Sequence, residues 1–241
     1  MSSFRRQIGR SAALLPLPLV MAGTLAVAAP SSATTHQAPN ATTSPTPNTA
    51  ASDQARNATA ESHSQAPLTC GGQGVDPAAK IRYRAETLIK APPHTIWKLQ
   101  TDVERWPSWQ PPVTGMKRLD PGRLRPGSRF QWTTPVPETP TTPATTLVIT
   151  STVQQIKNNR CIRWTGPAIG EGLRIDRGVH VWTFTKVKGG VLVRTEETWT
   201  GNQVEADVPT STAYLGAGLE AWLTDLKTTA ESIHLGHRAK S

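Results

Sequence analysis

The sequence predicts an α+β domain: a curved antiparallel sheet of seven strands wrapped around a long C-terminal helix, with two short helices after the first strand. Three observations predict it. Between Ile81 and Trp199, short runs of alternating apolar and polar residues follow one another, separated by Asp-Pro-Gly, Pro-Gly, Asn-Asn and Gly-Gly turns, as in an antiparallel sheet. Beyond Thr210, Leu215, Leu219, Trp222, Leu226, Ala230 and Ile233 recur at steps of four, three, four, four and three, an apolar stripe on one side of a helix. The strands also carry large aromatic side chains at alternate positions, so the sheet has one face that avoids water. A sheet face and a helix stripe are buried together when the sheet curls around the helix into one core.

Three segments divide the chain. Residues 1–33 read as a cleaved export signal: MSSFRRQIGR is basic, SAALLPLPLVMAGTLAVAA is apolar, and Ser31-Ser32-Ala33 supplies small residues for cleavage. Pro16 and Pro18 interrupt the apolar run, so no stable membrane span is expected after cleavage. Arg5-Arg6 followed by Ile8 suits a twin-arginine signal and an ordinary basic head equally. Residues 34–67, rich in Thr, Ala, Pro and Ser, lack apolar periodicity and read as a disordered tether, with weak sequons at Asn40 and Asn57. Residues 68–241 form the domain, with its core between about 80 and 235.

Charge and cysteines narrow the function. The net charge of +9 falls to +6 once Arg5, Arg6 and Arg10 leave with the signal, and the remaining cations are scattered among acids, which argues against a nucleic-acid partner. Cys70 and Cys161 are the only cysteines. In an exported protein they form either one disulfide, closing a loop of about ninety residues, or two unpaired thiols.

The elements follow in order. Ile81, Tyr83, Ala85, Thr87 and Ile89 alternate with Arg82, Arg84 and Glu86 in the first strand. Pro92 and Pro93 open a helix, because a proline in the first turn lacks only an N–H that has no partner there; Ile96, Leu99 and Val103 are its buried face. Asp102 is expected to cap a second short turn that ends at Trp106-Pro107, since the residue before proline leaves the helical region. Six strands then fall at 113–119, 128–134, 147–156, 161–165, 179–187 and 191–199. Asn158-Asn159 and Gly189-Gly190 supply the positive φ of tight hairpins. The stretch 165–178 reads as a long loop, with Asp176 and Arg177 at the entrance to the core. PVPETPTTPA between two strands is either a solvated loop or a lid. The long helix runs from about 210 to 234, with Gly236 as its stop.

This order, together with APPHTIWKL, TDVERWPSW, LRPGSRFQW, GVHVWTF, TEET and LEAWLTDLK, resembles the polyketide cyclase/dehydrase-like branch of the START/Bet v 1 (SRPBCC) superfamily, the helix-grip fold. The resemblance spans about residues 80–233. It implies a deep, mainly apolar cavity between sheet and long helix that holds lipids, sterols, polyketides or other aromatic molecules. It is a distributed pattern and not a catalytic signature, so it speaks for fold more than for activity.

Strand phase then nominates a site. His180, Trp182 and Phe184 share one face of their strand, as do Val193, Thr195, Glu197 and Trp199 of the next, Phe130 and Trp132 of an earlier one, and Ile162 and Trp164 of another. Phe130, Trp132, Trp164, Trp182, Phe184, Trp199, Trp222 and Trp109 are the candidate ligand-binding residues, and the space they surround is either a hollow or a solid core. Gly216 and Gly218 inside the long helix either make room for a ligand or let a strand pack closely. Trp106 is expected to plug one end of the core, and Trp109 either joins the plug or forms a ligand wall. Arg163 and Arg194 should face solvent.

His180 and Glu197 are the candidate catalytic pair, placed to take and return protons in a cyclisation or dehydration; the alternative is a histidine satisfied by a carboxylate for structural reasons. The six histidines are dispersed, so neither a metal site nor a cofactor is expected. Export makes capture of an external hydrophobic or aromatic small molecule the leading function, ahead of a cofactor-independent cyclase or dehydratase and of a surface domain that only displays its loops.

Overall fold

The computed structural model describes residues 66–138 and 143–238. The expected signal, both sequons, the tether up to residue 65 and the middle of the Pro/Thr-rich insertion lie outside the described residues. The elements are β1 (Ile81–Ile89), α1 (Pro93–Thr101), a 3-10 helix (Val103–Ser108), β2 (Gly115–Arg118), β3 (Arg129–Val136), β4 (Thr145–Lys157), β5 (Cys161–Gly170), β6 (Leu173–Val187), β7 (Gly190–Thr200), α2 (Asn202–Glu205) and α3 (Val208–Arg238). The strands form one seven-stranded sheet in the order β1-β7-β6-β5-β4-β3-β2, and every pairing is antiparallel.

Several local readings are corrected. The stretch 165–178 is a hairpin: β5 and β6 continue until Gly170 pairs with Leu173, which puts Asp176 and Arg177 on β6. Within the hairpin the β5–β6 register shifts between Gly166 and Ala168. A Cβ on Gly166 would stand 1.8 Å from the Thr150 carbonyl oxygen, so only glycine lets β4 and β5 approach this closely here. The second short turn is a 3-10 helix that continues through Pro107. Asp102 precedes it without capping it, and its carboxylate pairs instead with Arg105 at 3.6 Å. On α1 the deepest residues are Ile96 and Gln100, with Leu99 half-buried.

The long helix also differs from its expected stripe. Leu215, Leu219, Leu223, Leu226 and Ala230 are buried, Trp222 is half-buried and Ile233 is 36% exposed. Gly236 does not stop the helix, which runs to Arg238. Gly216 is buried because α3 crosses the ring of Tyr83: a Cβ there would lie 2.7 Å from Tyr83 Cε2. Gly218 is exposed and meets nothing within 4 Å, so neither glycine opens space for a ligand.

The convex face of the sheet carries a strap, residues 66–76, that periodicity did not reveal. Cys70 and Cys161 are joined in a disulfide across a sequence separation of 91 residues. Leu68 and Val75 pack with the bridge on Val179 and Val181, forming a third apolar cluster. Arg163 was expected in solvent but is 9% exposed, because it lies under this strap and donates from Nε to the Gly74 carbonyl at 2.9 Å. Glu196, 2% exposed, accepts from the Leu68 amide at 2.9 Å and pairs with Arg82, so the buried carboxylate is compensated. Arg194 stays at the surface and pairs with Glu86 at 2.9 Å.

Between sheet and α3 the core divides in two. One cluster lies toward the end of the sheet where β1 meets α1 and holds Ile96, Trp106, Phe130, Trp164, Trp182, Phe184 and Leu226. The other lies toward the start of β1 and holds Ile81, Leu147, Ala168, Ile175, Leu215 and Leu219.

Candidate functional site

Strand register builds the site. His180 pairs with Glu197 and Trp182 with Thr195 across β6 and β7, while β5 sets Trp164 opposite His180. In an antiparallel pair, opposed residues share a face, so the phase read from the sequence holds for all four positions. His180 Nδ1 is 3.0 Å from Glu197 Oε2, and His180 Nε2 is 2.6 Å from Thr195 Oγ1. Trp199 Nε1 donates to the other Glu197 oxygen at 2.9 Å. His180 is 7% exposed and packs against the rings of Trp164 and Trp182 at 5.1 and 5.0 Å.

Burial decides the protonation of this chain. It pushes the imidazole of His180 down to about 3, because a cation is poorly solvated among indoles. It pushes the carboxyl of Glu197 up to about 7, against the opposing effect of the Trp199 N–H bond. The pair therefore holds one proton across the mildly acidic range. With Glu197 protonated, its hydroxyl donates to His180 Nδ1 and the Nε2–H donates to Thr195. With Glu197 ionised, the Nδ1–H donates to the carboxylate and the Thr195 hydroxyl donates to Nε2. One loss of a proton switches the histidine tautomer and leaves every bond in the chain made.

The rings expected to line a hollow largely pack on one another. Trp106 is fully buried and touches Phe130 at 5.5 Å, Trp132 at 6.0 Å, Trp164 at 5.9 Å and Trp222 at 4.8 Å, mostly edge to face. Trp109 adds its edge to Trp222 at 6.2 Å, and Phe184 meets Trp97 at 5.4 Å. A deep cavity through this end is thus corrected to a filled aromatic cluster, because the 3-10 helix carries Trp106 into the middle of the space between sheet and α3. Trp106 is a plug, and Trp109 belongs to the same packing.

Several inward-facing side chains are only partly covered. Trp132 and Ile149, paired across β3 and β4, and Glu197 and Trp199 on β7 all lie in the inward phase, yet each is half-exposed, as is Tyr83 opposite Glu197 on β1. These side chains are thus only partly covered, whereas Trp182 and Phe130 are sealed. Within the aromatic cluster the indole nitrogens of Trp109, Trp132 and Trp182 and Nε2 of Gln100 are buried without an acceptor.

Four contributors were missed from the sequence. Thr195 was placed on the face without a role, and Tyr83 was read only as a strand residue. Gln100 and Gln110, 0% and 1% exposed, hold α3: Gln100 Oε1 accepts from Trp222 Nε1 at 3.1 Å, and Gln110 Nε2 donates to the Trp222 carbonyl at 3.2 Å. A glutamine among apolar neighbours carries no periodic signal; only the tertiary partner shows why it is buried. Among the described residues no cluster of three or more His, Cys, Asp or Glu side chains is arranged to hold a metal, and no helix is long and apolar enough to cross a membrane.

Comparisons with known proteins follow the architecture. Residues 80–231 match the family model described as polyketide cyclase / dehydrase and lipid transport. A START superfamily protein from Mycobacterium smegmatis aligns with a TM-score of 0.52 and 16% identity, over 63% of this chain and 98% of that one. A protein from Thermus thermophilus aligns at 0.48 and 18% identity, over 63% and 98%. The di-domain ARO/CYC StfQ from the steffimycin biosynthetic pathway aligns at 0.48 and 17% identity, over 67% of this chain and 52% of that one. At such identities the likeness is one of fold. No curated protein matches the chain.

Proposed function

Because the chain belongs to the polyketide cyclase/dehydrase and lipid transport family, we propose that it is an exported domain that holds a small hydrophobic or aromatic molecule on the concave face of the sheet. The molecule lies between the two apolar clusters, with the Glu197–His180 pair as its polar anchor. One observation carries this reading: a desolvated, hydrogen-bonded carboxyl–imidazole pair sits on a sheet face lined by rings, where Glu197 and its neighbours Tyr83 and Trp199 are only partly covered. Trp132, Trp199, Tyr83 and Ile149 offer apolar contact on that face. Export is supported by the basic and apolar N-terminal stretches and agrees with the disulfide at Cys70 and Cys161.

Native mass spectrometry of protein recovered from its host tests the reading. A co-purified apolar small molecule is expected in wild type and strongly depleted in Trp132→Ala and Glu197→Gln. Equal occupancy in folded variants would remove the concave face as the site.

A second reading rests on the same pair. A carboxyl pushed up to about 7 and joined to a histidine and a hydroxyl both gives and takes protons near neutrality, as a cyclase or dehydratase requires. If it operates, His180→Ala abolishes turnover of the identified ligand while retaining its binding; unchanged turnover rejects it.

A further inference from the structure

A second concavity lies outside the ring cluster, at the α1 end of the domain. α1, the loop joining β2 to β3 and the turn joining β4 to β5 surround a groove of about 1000 Å³. Its floor is apolar: Trp97, Leu124 and Ile156 line it and pack from behind on the main cluster. Neither His180 nor Glu197 lines it, so it is distinct from the concave-face site.

The charges around the groove do not cancel. Arg118 pairs with Asp120 at 2.9 Å, and Asp102 pairs with Arg105 at 3.6 Å. Lys98 and Arg123 line the groove and have no ion-pair partner among the described residues, and Glu104 is the one acid on its wall left likewise unpaired. Deeper in the wall, Nε of Arg118 is buried without an acceptor, and Oδ1 of Asn159 is buried without a donor. Asn159 sits in the left-handed region at φ 55 in the β4–β5 turn. An apolar floor with two free cations is complementary to a molecule with an apolar body and one anionic head.

We infer that this groove is a second binding site, for a small amphipathic carboxylate whose body lies on Trp97, Leu124 and Ile156 and whose head faces Lys98 and Arg123. Glu104 opposes the anion, and this sets a test of opposite sign. The groove is independent of the concave-face proposal, since it shares no lining residue with the Glu197–His180 pair.

The probe is 2-naphthoate, titrated into the intact protein and followed by NMR of the indole N–H resonances, with the uncharged 2-naphthamide beside it. Saturable shifts of the Trp97 resonance are expected, with Trp199 unmoved. Losing two solvent-facing charge contacts weakens naphthoate about fivefold to tenfold in Lys98→Ala/Arg123→Ala. The amide binds more weakly than the acid by a similar factor, and Glu104→Gln tightens the acid about twofold. All three side chains are at the surface, and an unchanged spectrum of each free variant checks its fold. The site is overturned if Trp97 does not shift, if Trp199 shifts in its place, if acid and amide bind equally, or if the double variant binds naphthoate as wild type does.

Discussion

Replacing Glu197 by glutamine should expose a pH dependence of stability that the wild-type pair hides. A histidine whose folded pKa lies below its unfolded value contributes stability that is present above the unfolded value and is lost as pH falls. For His180 the window runs from 6.5 down to about 3. A carboxyl whose folded pKa is raised behaves oppositely: Glu197 gains relative stability as pH falls from about 7 to 4.5. Each slope is about 1.4 kcal/mol per pH unit. Between 4.5 and 6.5 the two cancel, because folded and unfolded chains each bind one proton at this pair. Glu197→Gln removes one side of the balance. Over those two units the variant should lose about 3 kcal/mol relative to wild type, while every other group contributes equally to both proteins. Urea unfolding of the two proteins at pH 4.5 and 6.5 reads this difference directly. Parallel behaviour of wild type and variant would refute a neutral, desolvated His180 and with it the proton chain from Glu197 to Thr195.

Further outcomes follow from packing. Trp106→Ala, which removes a fully buried ring in contact with four others, should cost about 3 to 5 kcal/mol in urea unfolding. Gly216→Ala should destabilise by about 1 to 3 kcal/mol despite alanine's better helix propensity, since its methyl meets the Tyr83 ring; Gly218→Ala, with open space, should stabilise by a few tenths to about 1 kcal/mol. Thermal unfolding of the two variants should therefore move in opposite directions. Cys70→Ser/Cys161→Ser should lower stability by about 2 to 4 kcal/mol, and hydrogen exchange should show the amides of residues 66–76 losing protection before those of β6 and β7.

The long helix and the strand phases were legible in the sequence because alternation and the helical stripe repeat over many residues, so one misread position does not change the face. The same phase put His180, Trp182 and Glu197 on one side, and register then fixed Glu197 opposite His180. Local turn signals misled. The stretch 165–178 suggested a loop, yet it is the paired end of the β5–β6 hairpin, and Gly236 suggested a stop inside a helix that continues to Arg238.

From its linear order alone this chain determined the class of fold, the curved sheet around a C-terminal helix, and the face on which polar chemistry lies, because both follow from the local periods of strand and helix. Tertiary structure decided what occupies the interior. Whether eight tryptophans frame a hollow or fill it depends on where one short 3-10 helix delivers Trp106, a distance in space with no periodic trace. It also decided that Arg163, whose phase points outward, and Glu196 on the same convex face are buried under a strap joined through the Cys70–Cys161 bridge, since burial on that face comes from a segment 89 residues from Arg163 and 128 from Glu196 along the chain.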